Sequence, residues 1–408
     1  LLSFIIYRLS KVINTRSIFV QEMLARLSSF TQESFSGISV IKSYTLETFV
    51  NKDFDDLASK AKTINMSLVK VQAWFFPLMI LLIGLSNLIV IFVGGKQYIN
   101  DEIEIGVLAE FIVYINMLTW PVAAVGWVTS VVQEAEASQK RINKFLNQKV
   151  EIKNGIGVKK SFNGEIVFEN VTLIYPETNT KALDNLSFKI KAGEKVGIVG
   201  KVGSGKSSLL NLINRLYDVD EGKVLIGGSN IKDFKLDKLR SLIGNVMQNP
   251  FLFSESIKDN LLFGKIDATK EEIEKACKNA AIHKTINNFK NGYDTILGER
   301  GLTLSGGQIQ RVSIARALIK NPQFFLFDDC LSAVDLDTEN KILKNIKVIC
   351  ENKTTIMVSN RISSIKDSDK IFVLENGKII ETGNHKTLME NKNYYSHLFN
   401  RQQNEKKY

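Results

Sequence analysis

Between Val71 and Gly95 the chain carries no charged residue, and Trp74–Val93 (WFFPLMILLIGLSNLIVIFV) is almost wholly apolar. About 20 such residues cross the hydrocarbon core of a bilayer as a helix, and backbone hydrogen bonding leaves a chain in lipid few other options. A second stretch, Phe111–Val132, is also uncharged, with Trp120 and Pro121 near its middle. Soluble core helices are seldom apolar on every face over this length. Two membrane spans are therefore predicted, about 71–95 and about 107–132. Trp74, Phe75 and Phe76 crowd one end of the first span, where aromatic side chains favour the membrane–water boundary.

The flanks orient these spans. The loop Lys96–Gly106 holds one Lys against Asp101, Glu102 and Glu104, whereas Lys42, Lys52, Lys60, Lys62 and Lys70 precede the first span and Lys140, Arg141 and Lys144 follow the second. Positive charge marks the cytoplasmic side, so the short loop is expected outside and both long arms inside. The net charge of +10, from 53 Lys and Arg against 43 Asp and Glu, is then explained by a basic face near anionic lipid, with no nucleic acid needed. Residues 17–70 read as long amphipathic helices interrupted near Gly37. Gly37–Thr45 (GISVIKSYT) is either a plain corner between them or a cytoplasmic hinge that touches another domain.

Polar groups within the spans, Asn87 and Asn116, read as helix–helix hydrogen bonds rather than substrate contacts, and Glu110 sits near the outer end. Leu1 is no initiator and its neighbours lack a basic leader, so a signal peptide is not expected and the chain reads as continuing a longer protein. Cys277, Cys330 and Cys350 are too scattered for a disulfide framework, and His283, His385 and His397 lack metal-ligand spacing. With 44% apolar and 24% charged residues, disorder is excluded, and 408 residues suggest roughly two to three domains.

After Asn147 the texture changes. Gln148–Asn163 is a polar, glycine-containing linker, and then strand-like runs alternate with helices: Ile166–Leu173, Lys195–Val199, Lys223–Ile226, Phe324–Phe327, Thr354–Val358 and Lys370–Leu374. Near-continuous apolar runs suit strands buried on both faces, as in a doubly wound α/β sheet. Gly200–Ser207 (GKVGSGKS) fits G-x-x-x-x-G-K-[ST] between one such strand and a helix. Gly200, Gly203 and Gly205, with Val202, Ser204 and Ser208 around them, let backbone N–H groups close on phosphate. Lys206 supplies a charge for the β- and γ-phosphates of ATP and Ser207 a hydroxyl for Mg²⁺.

Phe324–Asp329 (FFLFDD) delivers Asp328 to the carboxyl end of a hydrophobic strand, where such sheets bind ligands and where a carboxylate can hold Mg²⁺ through water. Leu304–Gln308 (LSGGQ) precedes an apolar helix. It is either a glycine-rich cap or, through Ser305, Gly306 and Gly307, a second anion nest.

Taken together, these strings resemble the C-terminal part of an ATP-binding cassette (ABC) exporter half-transporter, and the resemblance covers essentially the whole chain. It implies a partial α-helical transmembrane domain over 1–147, ending in the last two membrane helices, with a coupling helix at about 37–45. An α/β P-loop nucleotide-binding domain follows over 164–400, with a helical subdomain at about 250–320 and a polar tail at 401–408. Gly200–Ser207 resembles the Walker A loop, Asp328 the Walker B carboxylate and Gln248 (VMQNPFLF) the Q-loop glutamine that senses Mg²⁺ and the γ-phosphate. Tyr175 (LIYP) matches an aromatic residue that stacks on adenine, Leu304–Gln308 the signature, and Ser332 to Asp335 (SAVD) the D-loop. In this family two nucleotide domains close head to tail, each ATP lying between one Walker A loop and the other subunit's signature.

Two positions depart from the family pattern. Its general base is a Glu directly after the Walker B Asp, where this chain has Asp329, and its switch His is replaced by Asn360 (VSNRISS). A carboxylate one methylene shorter falls roughly 1 Å short, and a base must lie within about 2.6–3.2 Å of the water it activates. An Asn side chain has neither the reach nor the proton chemistry of imidazole. The resemblance therefore implies a degenerate site that binds ATP and hydrolyses it slowly, and a heterodimer whose second half-transporter supplies the missing groups. A smaller departure is Ile296 within Thr295–Gly301 (TILGERG), where many exporters have a Glu. The competing readings are an ATP-locked regulatory half controlling a partner channel, and a soluble cassette ATPase acting on DNA or ribosomes, which the two spans oppose.

Overall fold

The computed structural model describes residues 2–158, 164–298 and 304–405, which gather into two units, Leu1–Lys149 and Val150–Tyr408. Four helices make the first: α1 (Leu2–Ser36), α2 (Ile38–Ser43), α3 (Glu47–Ile99) and α4 (Ile105–Leu146). Gly37, a poor helix former, separates α1 from α2. Thr45, in a left-handed turn (φ 55°), closes α2 while the Leu46 N–H donates back to the Ile41 carbonyl at 2.9 Å, a helix-terminating arrangement. The corner expected at Gly37–Thr45 is thus a six-residue helix set between two long ones.

Helix α1 runs antiparallel to α3. Arg16 donates to the Ser67 carbonyl, and Phe30 faces Phe54 with ring centroids 6.3 Å apart. The first expected span lies within α3, which among the described residues is the one helix long and apolar enough to cross a bilayer. Ile80, Leu81, Leu88 and Phe92 lie exposed along it, an apolar face that lipid or further helices would cover. The second expected span falls inside α4, whose apolar piece among the described residues is the shorter Ile105–Leu118. Trp74 is exposed, while the side chains at 75 and 76 lie outside those described. Among the described residues, neither asparagine makes the expected helix–helix bond. Asn116 donates within its own helix to the Ile112 carbonyl at 2.8 Å, because an i−4 carbonyl is always within reach, and the buried Asn87 Oδ1 has no partner.

The second unit contains two sheets where the sequence suggests one. β1 (Ile166–Tyr175), β2 (Thr180–Ile190), β4 (Glu221–Ile226) and β5 (Ser229–Asn230) form an antiparallel sheet in the order β2-β1-β4-β5. The other sheet has the order β10-β9-β3-β8-β7-β6. In it β3 (Lys195–Gly200), β6 (Ile243–Val246), β7 (Phe324–Asp328), β8 (Thr354–Val358) and β9 (Lys370–Glu375) are parallel, with β10 (Lys378–Gly383) antiparallel at the edge. β2 escapes a periodicity search because pairing irregularities against β1 shift its buried residues to Leu183, Leu186 and Ile190.

The parallel strands divide their side chains between two cores. Phe324 and Leu326 of β7 join the antiparallel sheet's core, whereas Phe325 and Phe327 join the other. This double burial produces the continuous apolar runs seen in the sequence. Helices α5 (Lys206–Ile213) and α6 (Leu236–Ser241) belong to the first layer. A helical subdomain follows, in which α10 (Gly306–Ile319) packs on α7 (Ile257–Leu262) and α8 (Lys270–Asn279), and α8 on α9 (His283–Asn287). The chain ends through α11 (Leu336–Ile349), α12 (Ile362–Ile365), α13 (His385–Glu390) and α14 (Tyr394–Glu405). This is a helical membrane-type unit followed by an α/β nucleotide-binding fold with a helical insertion.

Part of the expected linker lies on the second unit: Asn154 Oδ1 accepts from the Leu236 N–H at 2.8 Å, and the Gly155 N–H donates to the Phe234 carbonyl. The tail expected from Arg401 onward stays helical to Glu405. Linker residues 159–163, residues 299–301 of the Ile296 segment and tail residues 406–408 lie outside the described ones.

Candidate nucleotide site

Strand β3 ends at Gly200 and α5 begins at Lys206, so the loop between them opens at the carboxyl edge of the parallel sheet. Gly203 and Gly205 take left-handed backbone (φ 80° and 97°), which L side chains rarely adopt. At Gly205 a Cβ would also lie 2.4 Å from the Ala182 carbonyl oxygen, while above Gly203 the space is open. Val202 stands exposed at the tip. Lys206 is 9% exposed, and its Nζ donates to the Gly200 and Lys201 carbonyls, each at 2.7 Å. It makes no ion pair within 4 Å among the described residues, and burial lowers its pKa against the opposing pull of Asp328 and Asp329. Ser204 Oγ is buried with no partner.

Register delivers the other groups. Asp328 pairs across the sheet with Val358, so the ends of β7 and β8 lie side by side, with β3 next to β8. Asp328 is mostly buried, and burial raises its pKa against the opposing pull of neighbouring Ser207 and Lys206. Asp329 follows in left-handed backbone (φ 43°), a conformation Asp tolerates better than most residues. Its two carboxylate oxygens both face Asn360: Oδ2 accepts from the Asn360 amide at 2.9 Å and Oδ1 from the Asn360 backbone N–H at 3.4 Å. The two positions that depart from the family pattern are therefore in direct contact. Gln248 lies exposed just past β6, the strand beside β7. Tyr175 ends β1, with its hydroxyl 2.9 Å from Ser208 Oγ and its ring edge-on to Tyr217.

The signature stands apart from these groups. Ser305 caps α10, accepting from the Gln308 N–H, while the Gln308 side chain accepts from the Ser305 N–H at 2.9 Å. This reciprocal capping box is the cap reading of LSGGQ. Leu304 is buried behind it, and Gly306 and Gly307 form the first turn. Gly307 is held tightly, since a Cβ there would lie 2.6 Å from the Ala333 carbonyl oxygen. Asp335 caps α11, and Ser332 Oγ accepts from Gln310 at 3.1 Å.

Four residues that sequence reasoning passed over hold this frame. Gln310 also accepts from the Ala333 N–H. Arg361 bonds Glu339 at 2.6 Å and the Ser332 carbonyl at 3.1 Å. Gln402 bonds backbone on both sides of Arg361. A Glu inside the α11 periodicity hints at Glu339, but no string in the sequence marks the other three.

A buried ammonium with no carboxylate within 4 Å among the described residues, an orphaned hydroxyl and a glycine loop at a helix start fit a bound polyphosphate. The described residues contain no cluster of three or more metal-ligating side chains. Mg²⁺ fits this modest donor set, since it binds through one or two protein groups plus phosphate oxygens and water, and Ser207 and Asp328 are such a pair.

Fold and loop define a phosphate-loop nucleotide-binding module on the same chain as a membrane-type helical unit. The ABC transporter model matches residues 183–332, and that of the ABC transporter transmembrane region matches residues 1–122. The chain is 38% identical over 94% of its length to the "Multidrug resistance-like ATP-binding protein MdlA" of Buchnera aphidicola, covering 66% of that protein. It is 35% identical over 97% of its length to the "Uncharacterized ABC transporter ATP-binding protein YknU" of Bacillus subtilis, covering 68%. A bacterial Atm1-family ABC exporter solved with ATP bound superposes with a TM-score of 0.86 at 28% identity, over 98% of this chain and 72% of that one. This chain belongs to the ABC transporters, and it spans about two thirds of the length of these curated relatives.

Proposed function

We propose that the chain is a subunit of an ATP-driven membrane exporter, binding Mg·ATP in its own loop and lending Leu304–Gln308 to ATP held by a second subunit. The observation that carries nucleotide binding is Lys206, a buried cation that among the described residues has one donor free and no carboxylate within 4 Å. Ser204, Ser207 and the loop N–H groups would surround the phosphates, Tyr175 would bear on the base, and Gln248 would face the phosphate end from β6. Ser207 and Asp328 would hold Mg²⁺, which when bound offsets phosphate charge. The Lys-rich flanks support a plasma-membrane orientation with the nucleotide unit in the cytoplasm. The Buchnera relative's printed name supports efflux of the multidrug-resistance kind.

At its own site the chain is proposed to clamp ATP and cleave it slowly. Asp329 is short, and both of its oxygens accept from Asn360, which competes with an attacking water for the carboxylate. An intact signature beside this pair supports division of labour, with a partner half-transporter supplying Glu, switch His and the loop for the hydrolytic site. The same pair also favours a second reading, an ATP-locked regulatory half. Efflux from cells making both subunits separates the two readings: the export reading requires that removing the partner's catalytic Glu abolish it.

Nucleotide binding has its own test. In the full chain reconstituted in lipid nanodiscs, Lys206→Ala is expected to weaken binding of a fluorescent ATP analogue about 10- to 100-fold, the worth of charge-assisted hydrogen bonds. Unchanged affinity would remove Lys206 from the site.

A further inference from the structure

The C-terminal helix reaches the segment that carries Asn360. Gln402 Nε2 donates to the Asn360 carbonyl at 2.7 Å, and its Oε1 accepts from the Ile362 N–H at 2.9 Å, so one side chain grips the backbone on both sides of Arg361. Helix α14 aims it there. Tyr395, fully buried, and Leu398 and Phe399, packed against the core, lie seven, four and three residues before Gln402, along a single face. Tyr395 is fixed further by its hydroxyl, 2.7 Å from His385 Nδ1, and by its N–H, which donates to Glu381.

Asn360 in turn touches Asp329, and β8, which leads into Asn360, lies between β7, which leads into Asp329, and β3, which leads into the phosphate loop. Residue 360 therefore lies at the carboxyl edge of the parallel sheet, beside the strand that leads into the phosphate loop. We propose that Gln402 is a positioning residue: it fixes the backbone of 360–362 so that Asn360 meets the terminal phosphate of a bound nucleotide, making α14 part of the nucleotide response. The inference rests on the proposed ATP site but not on the proposed slowness of hydrolysis. A Gln is required because the grip needs one donor and one acceptor on the same group. An ionised Glu could accept from Ile362 but could not donate to Asn360.

The test uses the full chain in lipid nanodiscs with Mg²⁺ and fluorescent analogues of ATP and ADP. Gln402→Met preserves bulk and helix preference. It should speed dissociation of the ATP analogue roughly five- to tenfold, the size of one ordinary hydrogen bond lost, and leave the ADP analogue unchanged. Amide exchange at 359–362 should rise, with the melting temperature nearly constant. Gln402→Glu should behave likewise. Equal acceleration of both analogues would reduce Gln402 to a structural role, and no change in either would overturn the proposal. Loss of binding by both variants with an unaltered melting temperature would also overturn it. Lys206→Ala binding as tightly as the parent would instead remove the ATP site itself.

Discussion

Asp329→Glu combined with Asn360→His is expected to raise ATP turnover of chains paired with themselves by about 10²–10⁴-fold, the usual contribution of a positioned general base. That corresponds to about 3–5 kcal/mol of barrier. In the parent, Asp329 has its oxygens engaged at 2.9 and 3.4 Å by Asn360. Lengthening the acid alone leaves the Asn360 amide competing for it, and changing Asn360 alone leaves a carboxylate too short to reach water. Each single change should therefore gain little, and the product of the two should fall well below the double variant, as contacting residues couple. One cost opposes the gain. Residue 329 sits at φ 43°, where left-handed backbone costs about 1–2 kcal/mol for an ordinary residue and less for Asp. That strain is smaller than the expected gain, so the net change remains a rise. Phosphate release from nanodiscs would measure it. A flat result for the double variant, or parent turnover already equal to that of the double, would withdraw the roles given to both positions.

The phosphate loop was legible because its chemistry is local: a strand, a glycine loop and a helix follow one another from Lys195 to Ile213. Asp328 was legible for the same reason, at the end of a strand whose double burial leaves an unbroken apolar run. Strands whose burial is one-sided and irregular, such as β2, carried no such signal, and so the separate antiparallel sheet was not foreseen. Both substituted positions could be read against the family's motif, but their mutual contact joins residues 31 apart through the register of β7 and β8. The Gln402 grip spans 42 residues and depends on how α14 packs. In the sequence Gln402 is one polar residue among several near the C-terminus.

Gly306→Asp tests the other half of the arrangement, the proposal that the signature serves a nucleotide held by another subunit. Gly306 opens α10, and a Cβ there would lie 3.8 Å from Ala333 Cβ, an ordinary contact. An acidic residue in the first helical turn is also favourable to the helix dipole. The chain should therefore fold with an unchanged melting temperature and bind nucleotide in its own loop as before. Across the interface, however, a carboxylate about 4 Å from a phosphate charge costs about 4 kcal/mol at an effective dielectric of about 20. In the self-pairing Asp329→Glu/Asn360→His background, turnover should accordingly fall by at least about 10²-fold. Mixing decides whether the effect acts between subunits. One chain carries Gly306→Asp and the other Lys206→Ala, both in that background, and each is inactive alone. If signature and loop come from different subunits, the mixed pair has one complete site, formed by the loop of the first chain and the signature of the second, and activity returns. If they act within one chain, every site in the mixture stays broken and none returns.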